Sequence, residues 1–335
     1  MAIRKALTVE RQTVTYGIQF DNSMCRGIGE FVSFRILRIS LAAGVMLVTL
    51  GVMTGCQRQE TAEQSAPARP SLPGLPLSGQ IVRVDKDRGT LLVDHDEIPD
   101  FMPAMVMEFQ VGEGDLANAI EGSRITARLI EEDMGQFRLE HIWRVDDMDS
   151  SRVGAAAAAL REDTTIRGSK AFRSVGENLP NFALYDQTGA VVEASRFRGK
   201  KILINFIYTR CPVVTMCPAA VNNMMAVQAA VAEAGRSDEL ALISITFDPE
   251  HDTPGVLREY AEIRGIDTSN YSFLTGPESA IKDLLTQFGV LVGEIDGPLI
   301  QHTLATLLID ADGRIIDRAD GSQWDVKQFV RKILR

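Results

Sequence analysis

The chain has 335 residues, of which 35 are Lys or Arg and 45 are Asp or Glu, so its formal net charge is −10 at pH 7. This acidic balance, without a basic cluster interleaved with aromatic residues, argues against a nucleic-acid partner. The length allows two modest domains behind an N-terminal segment.

Residues 1–56 are predicted to form an N-terminal extension that ends in an export signal. Arg35 and Arg38 precede an apolar run at residues 39–53, and a small residue and then Cys56 follow it. Export signals show this order of charged, apolar and small residues. The ending resembles a bacterial lipobox, which implies that Cys56 is lipidated. The alternative is an uncleaved single anchor, for which the apolar run is short. Both interpretations predict an exported protein, attached to the membrane and facing the periplasm.

A linker and a small all-β domain are predicted next. Residues 57–76 are rich in Gln, Glu, Ala, Ser and Pro, a composition typical of a flexible tether. Residues 77–147 contain five short runs of β-forming residues separated by turns, which favours a small barrel of the OB type. The expected strands lie at residues 80–84, 90–94, 105–111, 124–130 and 137–145, with one helical turn at 115–120.

The remaining residues are predicted to form a connector and an α/β domain. Residues 148–174 read as the connector, with a short helix at the alanine-rich residues 154–161. From residue 175 to residue 335, strands and helices alternate and a hairpin and a helix follow, which is thioredoxin-like order. The expected strands lie at 181–185, 190–193, 201–208, 240–247, 304–309 and 315–319, and the helices at about 218–233, 254–264, 279–288 and 324–334.

Cys211 and Cys217 lie where the strand at residues 201–208 gives way to a helix. The sequence there reads CPVVTMCP, and Pro218 suits the first turn of a helix. Helix N-termini stabilise thiolates, which attack disulfides and bind soft metal ions. Five residues separate the cysteines, a gap that favours a metal ion between the sulfurs. Two alternatives stay open: redox cycling of the pair as catalytic thiols through a Cys211–Cys217 disulfide, and, more weakly, peroxide reduction.

His302 is the predicted third ligand of this site. The chain has four histidines, and His302 directly precedes the strand at residues 304–309. In a thioredoxin-like sheet this loop faces the start of the helix that carries the cysteines. A neutral imidazole would complete a Cu(I) site made by two thiolates. The plain alternative is a loop histidine that only bonds to its neighbours.

Several segments of the second domain form a recognisable pattern. They read LPNFALYD (179–186), FIYTRCP (206–212), DPEHDTP (248–254) and FLTG (273–276), followed by the loop of His302. Together, residues 176–335 resemble the SCO/SenC family of copper-binding thioredoxin-like proteins. The family motif has three residues between the cysteines, whereas this chain has five, and His251 stands where the family commonly has Arg.

This resemblance implies a function and assigns residues to it. It implies that Cys211, Cys217 and His302 bind copper and that Asp248 supports the site or a partner contact. An ordinary turn or helix-capping role is the alternative for Asp248. The resemblance also implies copper delivery to, or thiol reduction in, the copper centre of cytochrome c oxidase subunit II.

The first domain contains a second candidate copper site. Met105 and Met107 are two residues apart on a predicted strand and therefore share a face, and His95 precedes them. Thioether and imidazole groups suit Cu(I) or Ag(I), although methionines also fill barrel cores. With a Pro-Ala pair before Met105, the segment resembles the periplasmic CusF-like copper-binding domain, which implies His95, Met105 and Met107 as ligands. Met102 stands where that family usually has Trp, and is either a further sulfur contact or a packing residue.

The sequence thus predicts a membrane-anchored, extracytoplasmic copper chaperone with two copper-binding domains that exchange metal across the connector. The expected recipient is cytochrome c oxidase subunit II or another extracytoplasmic cuproprotein. The alternative from a different class is a thiol–disulfide oxidoreductase that acts on extracytoplasmic cysteines.

Overall fold

The computed structural model describes residues 74–132, 135–168, 172–293 and 300–335. Cys56, the apolar run at residues 39–53 and the linker up to residue 73 lie outside the described residues, so their predicted roles stay predictions. Within the described ranges, no helix is both long and apolar enough to cross a bilayer.

The first domain is a small all-β barrel, as predicted. Its elements are β1 (Leu75–Asp85), β2 (Thr90–His95), β3 (Met105–Gln110), α1 (Glu113–Asn118), β4 (Arg124–Glu131) and β5 (Phe137–Val145). The strands close in the order β1–β2–β3–β5–β4. Leu91, Val93 and Phe109 are fully buried inside it, because alternate residues of a strand point to one face. β1 begins inside the predicted linker, since Leu75 pairs with Leu129 of β4.

A long helix, α2 (Asp147–Arg167), joins the barrel to the second domain. The prediction of a connector with only a short helix was wrong. The Asp146 side chain caps α2 by accepting hydrogen bonds from the backbone of Met148 and Asp149, both at 3.0 Å, and alanine has the highest intrinsic helix propensity. Val153 and Leu160 are buried, so the helix packs on the protein and is not a loose link.

The second domain is a seven-stranded sheet with helices, and the thioredoxin-like prediction is confirmed. Its elements are β6 (Ala183–Asp186), β7 (Val191–Glu193), β8 (Lys201–Ile207), α3 (Cys217–Glu233), β9 (Leu240–Thr246), α4 (Pro254–Ile263), β10 (Tyr271–Thr275), α5 (Glu278–Phe288), β11 (Ala305–Ile309), β12 (Ile315–Asp320) and α6 (Val326–Ile333). The strand order is β12–β11–β8–β9–β10–β6–β7. Among the strands in the described residues, β10 (Tyr271–Thr275) is the one that was not predicted.

The sheet topology decides which loops meet. β8 and β9 are parallel, and β11 is antiparallel to β8. The carboxyl ends of β8 and β9 therefore lie at the same edge of the sheet as the amino end of β11. The loop with the cysteines, the loop before α4 and the loop with His302 all open onto that edge.

The barrel docks directly on the second domain through α1 and α4. A Cβ atom on Gly114 would overlap the carbonyl oxygen of Gly255, so the two helices touch through backbone. Asn118 accepts a hydrogen bond from Arg258 Nη1 and donates one to the Gln187 carbonyl, both at 2.9 Å. The domains are thus packed together, and copper exchange across a flexible connector is not the arrangement that the structure has.

Candidate metal centres

Cys211, Cys217 and His302 converge at the sheet edge. Their two Sγ atoms and an imidazole nitrogen all lie within 4.8 Å of one another, and Sγ of Cys217 is 3.7 Å from Nε2 of His302. Metal–sulfur and metal–nitrogen bonds of about 2.0 to 2.3 Å place ligand atoms roughly 3.5 to 4 Å apart. Both cysteines are free thiols. The three side chains therefore need only small movements to hold one soft ion.

The wide spacing between the cysteines is absorbed by a turn. Met216 donates its backbone N–H to the Val213 carbonyl at 2.9 Å, and Ser322 Oγ donates to the Thr215 carbonyl at 2.5 Å. Val214 is 76% exposed at the outside of this turn. The additional residues thus project away from the sheet, and the sulfurs stay together.

His302 is held in place by a short pairing with the preceding segment. His302 forms a β-bridge with Val292, and Thr303 donates its backbone N–H to the Leu291 carbonyl at 2.8 Å. The ring packs against Phe247 and Tyr208, with centroid distances of 4.5 and 5.6 Å. The backbone and the aromatic rings together fix where the imidazole sits.

The imidazole of His302 has the tautomer that a metal ligand requires. Nδ1 lies 3.2 Å from the Thr303 carbonyl, which can only accept a hydrogen bond, so Nδ1 carries the proton. Nε2, the atom near Cys217, then carries the lone pair. Burial lowers the pKa of His302, which keeps the ring neutral near pH 7.

Cys217 is protonated in the metal-free protein. It is the first residue of α3 and fully buried. A helix N-terminus favours a thiolate, but burial is the larger effect here and raises the pKa of Cys217 well above its ordinary value. A bound metal ion would displace this proton, so metal loading is coupled to proton release.

Asp248 lies in the turn after β9, and its side chain reaches the loop that carries the cysteines. Its carbonyl accepts the backbone N–H groups of His251 and Asp252 at 3.1 and 2.9 Å, which makes a turn after β9. Its side chain accepts a hydrogen bond from Arg210 Nη2 at 2.7 Å. Arg210 directly precedes Cys211, so Asp248 positions the start of the loop that carries the cysteines.

Asp252 is a structural residue of the site that the sequence analysis missed. Its carboxylate is fully buried and accepts hydrogen bonds from Thr209 N (3.1 Å), Thr209 Oγ1 (2.5 Å) and Thr246 Oγ1 (2.6 Å). These bonds tie the end of β8 to the end of β9. The available signal was a second acidic residue in the DPEHDTP segment, flanked by hydroxyl residues at both strand ends.

The structure also brings the methionine site together on one face of the barrel. His95 lies directly opposite Met105 across β2 and β3, and Met107 lies opposite Val93. Met105 is 45% exposed, whereas Met107 packs partly against the barrel core. Met102 also packs against that core, and its role as a further sulfur contact stays a prediction.

His95 has an unused nitrogen at this site. Its ring is 1% exposed, and Nδ1 lies 2.8 Å from the Asp96 carbonyl, so Nδ1 carries the proton. Nε2 is buried and has no hydrogen-bond partner among the described residues. A buried lone pair without a partner is costly. A metal ion next to Met105 would satisfy it, so the donor set fits Cu(I).

Two family models match the chain, one for each domain. The SCO1/SenC model matches residues 173–335. The model described as "Copper binding periplasmic protein CusF" matches residues 75–144. The two matches cover the second domain and the barrel, respectively.

Individual proteins match the second domain. An SCO2-like protein of Rickettsia typhi is 33% identical over 158 residues, which cover 45% of this chain and 74% of the relative. The structure of Bradyrhizobium japonicum ScoI with copper bound is 28% identical, covers 48% of this chain and 98% of its own, and has a TM-score of 0.41. BsSco, described as a member of the Sco family of cytochrome c oxidase assembly proteins, is 22% identical, covers 49% and 96%, and has a TM-score of 0.43.

Proposed function

This chain belongs to the SCO1/SenC family, and we propose that it is an extracytoplasmic copper chaperone that serves assembly of the copper centre of cytochrome c oxidase. One observation carries the proposal: the donor atoms of Cys211, Cys217 and His302 lie within 4.8 Å of one another. Copper is the cargo of such a protein, bound as Cu(I) or Cu(II), and is passed on to an acceptor.

The second domain would hold copper through its two sulfurs and one imidazole. Thiolate ligands favour Cu(I) and other soft ions over hard cations. The Nε2 lone pair of His302 is already directed toward Cys217, so little reorganisation is needed for binding. His302 is only partly buried, whereas both cysteines are buried. An acceptor thiol would therefore approach the ion from the side of His302 and replace the protein's ligands one at a time.

The barrel would hold a second copper ion through His95, Met105 and Met107. Thioethers do not have to lose a proton before they bind, so Met105 and Met107 bind Cu(I) with little dependence on pH. Met105 is the exposed ligand and is the one that an incoming copper donor would meet first. The barrel would therefore receive or store copper, and the thiolate site would bind it more tightly.

The alternative function is thiol–disulfide exchange by Cys211 and Cys217. The two free thiols are near enough to suggest it. One feature favours copper binding instead: the oriented imidazole of His302 has no role in simple dithiol exchange.

We also propose that the protein is exported and attached to the membrane facing the periplasm, either through a lipid on Cys56 or through a single N-terminal anchor. The support is the charged and apolar pattern of residues 35–56, which lies outside the described residues. Mass spectrometry of the protein from the membrane fraction tests this: a diacylglyceryl adduct on Cys56 supports the lipoprotein, and an intact N-terminus supports the anchor.

His302→Ala separates the two functions of the cysteine pair. If the protein is a chaperone, we expect the Cu(I) affinity of the second domain to fall by more than about tenfold. Removal of a residue that only hydrogen-bonds to a metal ligand already lowers metal affinity by about this factor. The reduction potential of the dithiol should change little. Gln301→Ala is the matched control, since Gln301 is an exposed neighbour in the same loop.

Copper transfer then tests the recipient. The copper-loaded full-length chain is mixed with copper-free cytochrome c oxidase subunit II, and the absorption of the product is followed. The proposal expects transfer by the parent protein and by Gln301→Ala, and strongly reduced transfer by His302→Ala. A different result would make the protein a thiol reductase. In that case neither the parent nor any variant transfers copper, and His302→Ala reduces an oxidised subunit II as well as the parent does.

A further inference from the structure

Two histidines from different domains meet at the domain interface. His141 lies on β5 of the barrel, and His251 lies in the loop between β9 and α4. Their ring centroids are 5.3 Å apart and the ring planes make an angle of 74°. Neither residue belongs to the thiolate site or to the methionine site, and neither was predicted to have a function.

The barrel backbone is distorted at His141 in a way that directs its side chain. The register between β4 and β5 shifts between Thr126 and Arg128, so β5 carries a bulge there. His141 has a φ of 53°, a left-handed conformation that costs a non-glycine residue about 1 to 2 kcal/mol. Bulges re-aim a side chain and are typical of functional positions. Here the distortion places the imidazole against the second domain.

The imidazole of His141 has an unused nitrogen. The residue is 8% exposed, and Nδ1 is buried with no hydrogen-bond partner in the part of the chain that the structure describes. Burial, and then the neighbouring His251, lower the pKa of His141, while Glu140 and a hydrogen bond to the backbone of His251 oppose this effect. The ring is therefore neutral near pH 7, as a metal ligand has to be.

His251 is oriented by a buried carboxylate. Its Nδ1 lies 3.2 Å from Oδ1 of Asp252, which can only accept a hydrogen bond, so Nδ1 carries the proton and Nε2 carries the lone pair. Carboxylates fix metal-binding histidines in this way. One oxygen each of Asp248 and Asp252 lies within 4.8 Å of a nitrogen of His251. Asp248 is occupied by Arg210, so the two imidazoles are the available ligands.

We propose that His141 and His251 form a third metal site, between the domains, that binds Cu(II). Metal–nitrogen bonds of about 2 Å place two imidazole ring centres about 5 to 6 Å apart when one ion lies between them, and the observed separation falls in this range. Imidazole ligands next to carboxylates suit Cu(II), which also ranks highest among divalent ions in affinity for such ligands.

The site has a consequence for the assembly of the two domains. Each domain supplies one ligand, so an ion at this site binds only the docked arrangement. A ligand that binds only one arrangement stabilises that arrangement. The stabilising free energy grows with the logarithm of the ratio of the ligand concentration to its dissociation constant. Cu(II) at this site would therefore hold the barrel against the second domain, whereas Cu(I) at the two softer sites would not.

The test uses the full-length chain with Cys211→Ser and Cys217→Ser, titrated with CuSO₄ and followed by electron paramagnetic resonance. We expect one tight equivalent of Cu(II) with nitrogen hyperfine structure. Adding His141→Phe or His251→Gln should weaken binding of that equivalent at least tenfold. Adding His302→Phe is the matched control and should leave it unchanged, because His302 belongs to the thiolate site.

The outcomes separate this inference from the proposed function. If the signal survives both interface substitutions, or is lost with His302→Phe, the interdomain site does not exist, whatever the Cu(I) results show. His251 has a side chain that is 26% exposed, so His251→Gln carries the test if His141→Phe fails to fold. Cu(I) binding by the thiolate site in the His251→Gln protein with both cysteines present should equal that of the parent.

Discussion

Removal of the Asp252 carboxylate should destabilise the second domain much more than removal of its neighbour Asp248. In Asp252→Ala, the backbone N–H of Thr209 and the hydroxyl of Thr246 lose a buried, charged acceptor. The hydroxyls can rotate toward other acceptors, but the backbone N–H cannot. Hydrogen bonds to charged groups contribute about 1.5 to 3 kcal/mol each, and they are not additive. We expect a loss of about 3 to 5 kcal/mol, as is usual when one partner of a buried charged network is removed.

Asp248→Ala is the matched control for this prediction. The main side-chain partner of Asp248 is Arg210. Asp248 is buried, but Arg210 is 46% exposed, so solvent screens the pair and we expect a loss of about 1 kcal/mol. In urea unfolding followed by circular dichroism, slopes of roughly 2 to 3 kcal/mol per M convert the Asp252→Ala loss into a midpoint that is about 1 to 2.5 M lower. Equal midpoints for the two variants would refute the idea that the Asp252 hydrogen bonds hold the strand ends together.

Two further predictions concern the domain interface. Burial, and then the charges of Glu259 and Glu140, raise the pKa of Asp115 from its ordinary value of 3.8 to about 7, so the folded protein holds a proton that the unfolded chain releases. The free energy of unfolding should therefore fall by about 1.4 kcal/mol per pH unit as the pH rises from about 5 to 7. Asp115→Asn should flatten this slope in urea unfolding. An unchanged slope would contradict the assignment to Asp115. Gly114→Ala should separate α1 from α4 and increase the radius of gyration measured by small-angle X-ray scattering. Gly154→Ala is the control, because the space around its Cβ position is open. It should stabilise α2 by about 0.5 to 1 kcal/mol and leave the radius of gyration unchanged.

The convergence of Cys211, Cys217 and His302 could be predicted because it depends on topology alone. Once β8 and β9 are parallel and β11 is antiparallel to β8, the loops that carry these residues have to meet at one sheet edge. Likewise, Met105 and Met107 share a face because residues two apart on a strand point the same way. Neither inference needs the position of any side chain outside the elements concerned.

The interface could not be predicted, because it depends on details that no periodic pattern encodes. The bulge and the positive φ at His141 arise from the register of β4 against β5. The role of Asp252 depends on where the ends of β8 and β9 lie relative to each other. The length of α2 was underestimated because only Val153 and Leu160 are buried along it, which leaves almost no hydrophobic period to detect.

We propose that two separate sets of side chains each hold one Cu(I) ion. This is tested by anaerobic titration of the full-length chain with Cu(I), in competition with a Cu(I) chelator. We expect two tightly bound equivalents for the parent, one for Cys211→Ser with Cys217→Ser, and one for Met105→Leu with Met107→Leu. If the double cysteine variant still holds two equivalents against the chelator, the thiols do not form a copper site and the account is wrong.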